Sequence, residues 1–424
     1  MNIEELYKIY QQFHSIKTDS RKIEKDDIFF ALKGPNFNGN QFARQALNIG
    51  AAYVVTDEPV GFEDERIIKV NDVLETLQLL AKYHREQFTI PFIAITGSNG
   101  KTTTKELLHE VLSSAFKTYT TKGNLNNHIG IPLTILKINR DAEIAVIEMG
   151  ANHLHEIEGY CKYAQPTHGL ITNIGKAHLG GFGGEEGVKK GKGELFDYLK
   201  KNNGTAFVNT DDAAVYDLSK PIINTIFYGS KSQNTKGDIV KNDPFIEVKI
   251  EDKNSYTIQT NLVGAYNLPN ILAAVCVGKY FKIEGEKIKL AIENYQPSNS
   301  RSQLIQKDSN SIILDAYNAN PESMKAAIEN FAKMKGDKKI LLLGAMMELG
   351  SESKKEHDAI ISLIDQHKWN AVILVGKNFN EIKNDYINFE NAEQARAWLK
   401  DQSLEKAQLL IKGSRSMQME KVLE

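Results

Sequence analysis

Apolar residues along this chain recur as short unbroken runs, each closed by glycine or a polar cluster and followed by a stretch with helical spacing. In the first unit, residues 27–32 read as a strand, 41–49 as a helix ended by Gly50, and 51–55 as a second strand. The spacing from Val73 to about Phe88 predicts a helix that leads into the next run. Beyond it, residues 92–95, 142–147, 169–174 and 206–209 read as buried strands. Residues 239–259 alternate apolar with polar, which predicts an antiparallel edge ribbon, and 267–278 form a helix apolar on most sides. From about residue 298 the runs 311–314, 339–343, 371–375 and 408–411 alternate with helical stretches. The regular exchange of period-2 and period-3.6 patterns predicts an α/β protein built on parallel sheets. Three units follow: residues 1–87, a small α/β domain; 88–297, a central parallel sheet; and 298–424, a doubly wound, Rossmann-like α/β domain.

Composition narrows the function classes without choosing among them. A chain of 424 residues that is 41% apolar and 25% charged is long enough for several cores. A net charge of -2 gives no general attraction to nucleic acid or acidic membranes, so neither is expected as a partner. No apolar run is long enough to span a bilayer, and the opening Met1-Asn2-Ile3-Glu4-Glu5-Leu6 is acidic and amphipathic rather than a signal peptide. Cys161 and Cys276 lie far apart in ordinary contexts and read as reduced thiols of a cytoplasmic protein. The oligomeric expectation is a monomer.

The chemistry concentrates where the run 92–95 ends. Thr96-Gly97-Ser98-Asn99-Gly100-Lys101-Thr102-Thr103 stands between a strand and the helical spacing of Leu107, Leu108, Val111 and Leu112. Glycines free the backbone N–H groups to face a polyphosphate, and the helix N-terminus adds its dipole. Lys101 can reach the outer phosphates and the Thr102 hydroxyl can sit on magnesium. The loop is a short form: the common spacing places glycine at 95, where this chain has Ile95. Glu148 and His178 follow later strands, with Lys190-Gly191-Lys192-Gly193-Glu194 in a glycine-rich region after them. A carboxylate and an imidazole suit a divalent metal near phosphates; a solvated loop carboxylate and a backbone-bonded loop histidine fit the same spacing. Thr18-Asp19-Ser20-Arg21 could hold a phosphorylated group, or be a helix cap beside a surface arginine. Lys412-Gly413-Ser414-Arg415 follows the last strand, is expected to open a helix, and could hold an anion.

These motifs together resemble the Mur ligase family. The segment 96–103 resembles that family's ATP loop. Thr18-Asp19-Ser20-Arg21 with residues 27–34 resembles the UDP-binding domain of members acting on longer peptides. The branch that adds D-alanyl-D-alanine is suggested by residues 123–132, Asp315-Ala316-Tyr317-Asn318-Ala319-Asn320-Pro321, residues 343–350 and 412–415. Two positions depart from the family pattern: Tyr266 stands where histidine is common, and Gly344-Ala345-Met346 where Gly-Asp-Met is usual.

The resemblance implies an ATP- and Mg²⁺-dependent ligase of peptidoglycan synthesis, with UDP-N-acetylmuramoyl-tripeptide and D-alanyl-D-alanine as substrates. It implies that Gly97, Ser98, Asn99, Gly100, Lys101, Thr102, Thr103, Asn267, Asn270, Arg301 and Asp315 hold ATP. It further implies catalytic roles for Lys101, Glu148, His178 and Lys192, with Thr102, Glu148, His178 and a carbamylated Lys192 on the metal. Ser20, Arg21, Asn126, Asn127 and His128 would take the UDP substrate, and Asn318 and Asn320 the dipeptide. The alternatives are another Mur-type amino acid ligase, a folylpolyglutamate-like ligase, and a non-catalytic nucleotide switch. UDP binding separates the second, and turnover that needs both carboxyl and amine substrates excludes the third.

Overall fold

Sheets form where the apolar runs stand, and the computed structural model describes residues 1–424 apart from Lys253 and Asn299. Strands Ile16–Lys17, Ile28–Phe30, Tyr53–Thr56 and Ile67–Lys69 make a four-stranded sheet, parallel throughout. One face packs on helix Ala43–Ile49 through Phe29, Ala46, Leu47 and Val54. The other face is covered by helices Ile3–Phe13 and Val73–Arg85, whose Leu6, Tyr10, Leu77 and Leu80 share a core with Ile131, Ile135, Ile157 and Tyr160 of the central unit. Helix Val73–Arg85 is therefore common to both cores. Its end is pinned by Arg85, which donates from Nε to Ala164 O at 3.1 Å and from Nη2 to Gln165 O at 3.0 Å. A third bond, to Phe88 O at 2.8 Å, turns the chain at residue 85, so the helix stops short of the expected Phe88.

The central sheet has nine strands in the order Tyr256–Gln259, Ile246–Glu251, Thr235–Asn242, Asn224–Gly229, Thr205–Asn209, His168–Ile171, Phe92–Thr96, Ile144–Glu148, Thr118–Thr120. Pairings among the first three are antiparallel and all others parallel, which is the expected edge ribbon; residue 253 lies outside the described residues. Strand Phe92–Thr96 is an interior strand, seventh in that order, with the next strands in sequence on one side and His168–Ile171 on the other. Such a switch point opens a crevice at the strands' C-terminal ends, where ligands bind. The third sheet runs Gln303–Lys307, Asn310–Asp315, Gln408–Lys412, Lys339–Gly344, Ala371–Val375, Ile387–Phe389, parallel except for the first pair.

Several expected boundaries move, for local reasons. The run 169–174 leaves its sheet after Ile171, because Thr172 and Asn173 turn to hold the loop at 97–99. The glycine-rich 190–194 lies inside helix Glu185–Lys201; a Cβ on Gly191 would stand 2.4 Å from the Phe182 ring, so glycine permits the contact. After Lys412 the chain forms 3₁₀ turns, Arg415–Met417 and Met419–Leu423, not the expected α-helix. Among the described residues, no helix is long and apolar enough to cross a membrane.

Candidate active site

The loop after strand Phe92–Thr96 is shaped by two glycines. Gly97 has φ 140°, and a Cβ there would stand 2.0 Å from Thr172 Oγ1. Gly100 has φ 78°, and its Cβ would stand 2.5 Å from Asn270 Oδ1. Any other residue would meet both the left-handed backbone cost and a clash. The loop is fastened by Ser98 N to Asn173 O at 3.0 Å, Asn99 N to Asn173 Oδ1 at 2.8 Å, and Thr172 Oγ1 to Asn99 O at 2.6 Å. Behind it, Thr104 Oγ1 donates to Asn270 Oδ1 at 3.0 Å and Asn270 Nδ2 to Asn267 Oδ1 at 2.9 Å.

Helix Lys101–Ser113 opens with the reactive side chains. Lys101 Nζ donates to Gly97 O at 2.6 Å and Ser98 O at 3.2 Å. Burial pushes its ammonium down to about 8, with Glu148 opposing the shift and Arg301 adding to it. Thr102 Oγ1 donates to Glu148 Oε1 at 3.2 Å, and Asn126 Nδ2 to the same oxygen at 2.7 Å. Among the described residues Glu148 Oε2 is buried without a hydrogen-bond partner; its nearest cation is Lys105 Nζ, 3.9 Å away. One carboxylate oxygen is thus satisfied, and the other is left to a cation.

The third unit closes over this loop. Asn320, the cap of helix Pro321–Lys333, donates from Nδ2 to Asn99 Oδ1 at 2.7 Å, and Asn99 Nδ2 donates to Glu322 Oε2 at 3.2 Å. Burial raises the Glu322 carboxyl above its ordinary range. Asp315 Oδ2 meets the buried Lys412 ammonium at 2.5 Å, and Ser302 N donates to Asp315 Oδ1 at 3.1 Å. The Arg301 guanidinium lies 3.5 Å over the Tyr317 ring. His178 pairs through Nδ1 with Glu348, and Lys176 with Glu356 at 2.9 Å. His178 holds the Glu348 carboxyl below its usual range.

One cleft of about 740 Å³ results. It brings together Ser98, Asn99, Gly100, Lys101, Thr102, Thr103, Asn126, Asn127, His128, Glu148, His178, Asn267, Asn270, Arg301, Asp315, Asn318 and Asn320. Gly97 forms the base of the loop behind that lining. Lys192 is fully buried outside the lining, donating from Nζ to Ala151 O at 2.9 Å with the Phe182 ring 5.0 Å away. Burial, and then Lys101, hold its ammonium well below the ordinary lysine range. Ser20 and Arg21 also lie outside the cleft lining. Asp19 caps the turn Ser20–Lys22, and Arg21 is exposed and doubly bonded to Asp19 at 2.9 Å. Position 345, where the family acid is usual, is a buried alanine whose N–H serves the sheet.

Among the described residues no group of three or more His, Cys, Asp and Glu side chains converges on a metal position. Magnesium keeps waters and substrate phosphates as ligands and needs few protein groups, so Thr102 with the free Glu148 oxygen fits it. Sequence reasoning missed Asn173, Glu322 and Glu348 as site residues. Glu322 follows Asn320-Pro321 directly and was within reach of the motif; Asn173 fell inside the run 169–174, read as a strand, and gave no signal of its own. Lys412, in the loop that could hold an anion, is paired with Asp315.

Three family models match successive parts of the chain: the Mur ligase family catalytic domain over residues 12–85, the Mur ligase middle domain over 95–278, and the Mur ligase glutamate ligase domain over 300–415. The UDP-N-acetylmuramoyl-tripeptide–D-alanyl-D-alanine ligase of Bacillus subtilis is 33% identical, across 98% of this chain and 94% of that protein. Among solved structures, MurF from Acinetobacter baumannii superposes with a TM-score of 0.88 at 30% identity, covering 98% and 96% of the two chains. MurF ligase from Thermotoga maritima in complex with ADP gives 0.87 at 28% identity, covering 97% and 96%.

Proposed function

Because this chain belongs to the Mur ligase family, we propose that it joins D-alanyl-D-alanine to UDP-N-acetylmuramoyl-tripeptide with ATP, in the cytoplasmic stage of peptidoglycan synthesis. The observation that carries the reading is the cleft in which loop residues 98–103 face Arg301, Asp315, Asn318 and Asn320. A glycine loop backed by Asn267 and Asn270 takes the nucleotide. The substrate's terminal carboxylate attacks the γ-phosphorus, ADP leaves, and an acyl phosphate forms. The dipeptide amine then attacks the acyl carbon, the amine loses its proton, and phosphate departs with the C–O bonding pair. Such transfer depends on positioning and charge neutralisation.

Lys101 supplies a positive charge to the transferring phosphoryl group, and the loop N–H groups orient the polyphosphate. Thr102 and Glu148 would hold Mg²⁺, which when bound neutralises phosphate charge. His178 and a carbamylated Lys192 are proposed to complete the metal surroundings. The buried, neutral-leaning amine of Lys192 is the form that reacts with CO₂, which supports that assignment. The third unit keeps water from the acyl phosphate through Asn320 and Glu322, which close on the loop.

We assign the UDP-substrate role to residues 1–87, with Ser20 and Arg21, and to Asn126, Asn127 and His128 at the cleft. ATP binding falls to 88–297, dipeptide handling to 298–424 with Asn318 and Asn320, and the chain acts as a monomer. The test is ATP-dependent phosphate release with UDP-N-acetylmuramoyl-tripeptide. Release that requires D-alanyl-D-alanine is expected; release with single amino acids, or with no amine, overturns the assignment.

A further inference from the structure

Two residues that are not glycine hold left-handed backbone on either side of Arg301: Ser300 at φ 55° and Ser302 at φ 47°. L-residues other than glycine, asparagine and aspartate seldom stay there without restraint. Three hydrogen bonds supply the restraint. Tyr317 N donates to Ser300 O at 3.2 Å, and Ser302 N donates to Asp315 Oδ1 at 3.1 Å, both within the third unit. The third crosses between units: the hydroxyls of Tyr266 and Ser302 stand 3.1 Å apart. Tyr266 belongs to the turn Ala265–Asn267, directly before the helix that carries Asn270. Gly264 makes the room for its ring, since a Cβ there would stand 2.3 Å from ring Cε1.

What this strained segment presents is Arg301. Its guanidinium rests on Tyr317 at 3.5 Å, its Nε is buried without a hydrogen-bond partner among the described residues, and it lines the same cleft as the loop lysine. Two cations entering one cleft from opposite units favour a polyanion between them. We propose that the Tyr266 hydroxyl is a positioning group for the nucleotide: it holds Ser302 in its left-handed conformation and so keeps Arg301 turned into the cleft. Tyr266 acts through Ser302 and Arg301, not on the phosphates. The inference rests on the nucleotide reading of the cleft.

ADP binding by titration calorimetry in magnesium buffer tests it without either of the other substrates. Tyr266→Phe keeps the ring and removes the hydroxyl; Ser302→Ala removes the other half of the bond. Each should weaken ADP about fivefold, the size of one neutral hydrogen bond. The double variant should weaken it no further, because both changes delete the same interaction. Ser302→Gly in the Tyr266→Phe background should bind ADP more tightly than Ser302→Ala in that background, since glycine sits at positive φ without the latch. Binding of UDP-N-acetylmuramoyl-tripeptide should not move in any of them. Unchanged ADP affinity in Tyr266→Phe, additive losses in the double variant, or glycine no better than alanine overturns the latch. A wild-type chain that binds no ADP overturns the nucleotide reading beneath it.

Discussion

Replacing Lys101 with methionine should stabilise the protein near neutral pH while removing its chemistry. The lysine ammonium is held to about 8 from an ordinary 10.5, chiefly by burial. At ~1.4 kcal/mol per unit, keeping it charged costs the fold up to about 3.5 kcal/mol. The side chain retains some exposed surface, so solvent screening reduces that to roughly 2 kcal/mol. Methionine fills the same channel with an unbranched apolar chain but gives up the bonds to Gly97 O and Ser98 O, together about 1 kcal/mol. The net expectation is about 1 kcal/mol of stabilisation at pH near 7.

The sign reverses with pH. Between about 8 and 10.5 the folded lysine has lost its proton and the unfolded one has not, so the unfolded state binds more protons. Wild-type stability therefore gains from this group as pH rises through that window, and the variant does not. The advantage of Lys101→Met should shrink above pH 8 and reverse by about pH 9.5. The assay is thermal unfolding followed at the transition that ADP shifts in the wild type, which isolates the nucleotide-binding unit. Phosphate release should fall by at least about 10²–10³-fold in the same protein. A variant less stable than wild type at neutral pH, or a difference that ignores pH, refutes the argument that a desolvated cation is stored in the loop.

Glu148→Gln keeps the side chain's shape but removes the anion behind the unpartnered Oε2; magnesium titration of phosphate release should show about 10–100-fold weaker metal dependence, and an unchanged titration would remove Glu148 from the metal. Arg21→Ala should weaken UDP-N-acetylmuramoyl-tripeptide by roughly tenfold, the loss of one charged hydrogen bond, and leave ADP untouched in a direct binding measurement; equal affinity for the UDP substrate contradicts the first-unit site. Lys192→Ala should lose most phosphate release and regain part of it with a small added carboxylate, while full activity in CO₂-depleted buffer defeats the carbamate.

The elements that were legible in the sequence are those whose residues answer to one environment. Phe92–Thr96, Ile144–Glu148 and Lys339–Gly344 are buried on both faces, so their apolar runs announce them. Thr118–Thr120 and Gln303–Lys307, at or near sheet edges, are polar or half-exposed and carry no such run. The phosphate loop was legible because its glycines answer to local geometry, a positive φ and a close approach that any sequence adopting the turn must meet. The contacts that complete the site were not, because their partners come together only after the units pack. Asn99 meets Asn320 and Glu322 across more than two hundred residues of chain, and neither side carries a mark of the other. Arg21 is the converse case. Its motif reads as a phosphate holder by resemblance and as a cap by composition, and the fold has Asp19 capping the turn while accepting from the guanidinium Nε and Nη2. A surface ion pair of this kind is weak enough to be exchanged for a phosphate, because solvent screens it and only two residues of chain are ordered by it. The cap and the phosphate holder are therefore compatible: Asp19 orients Arg21 while the turn keeps its shape without the guanidinium, through the bond from Arg21 N to Asp19 Oδ1 at 3.1 Å.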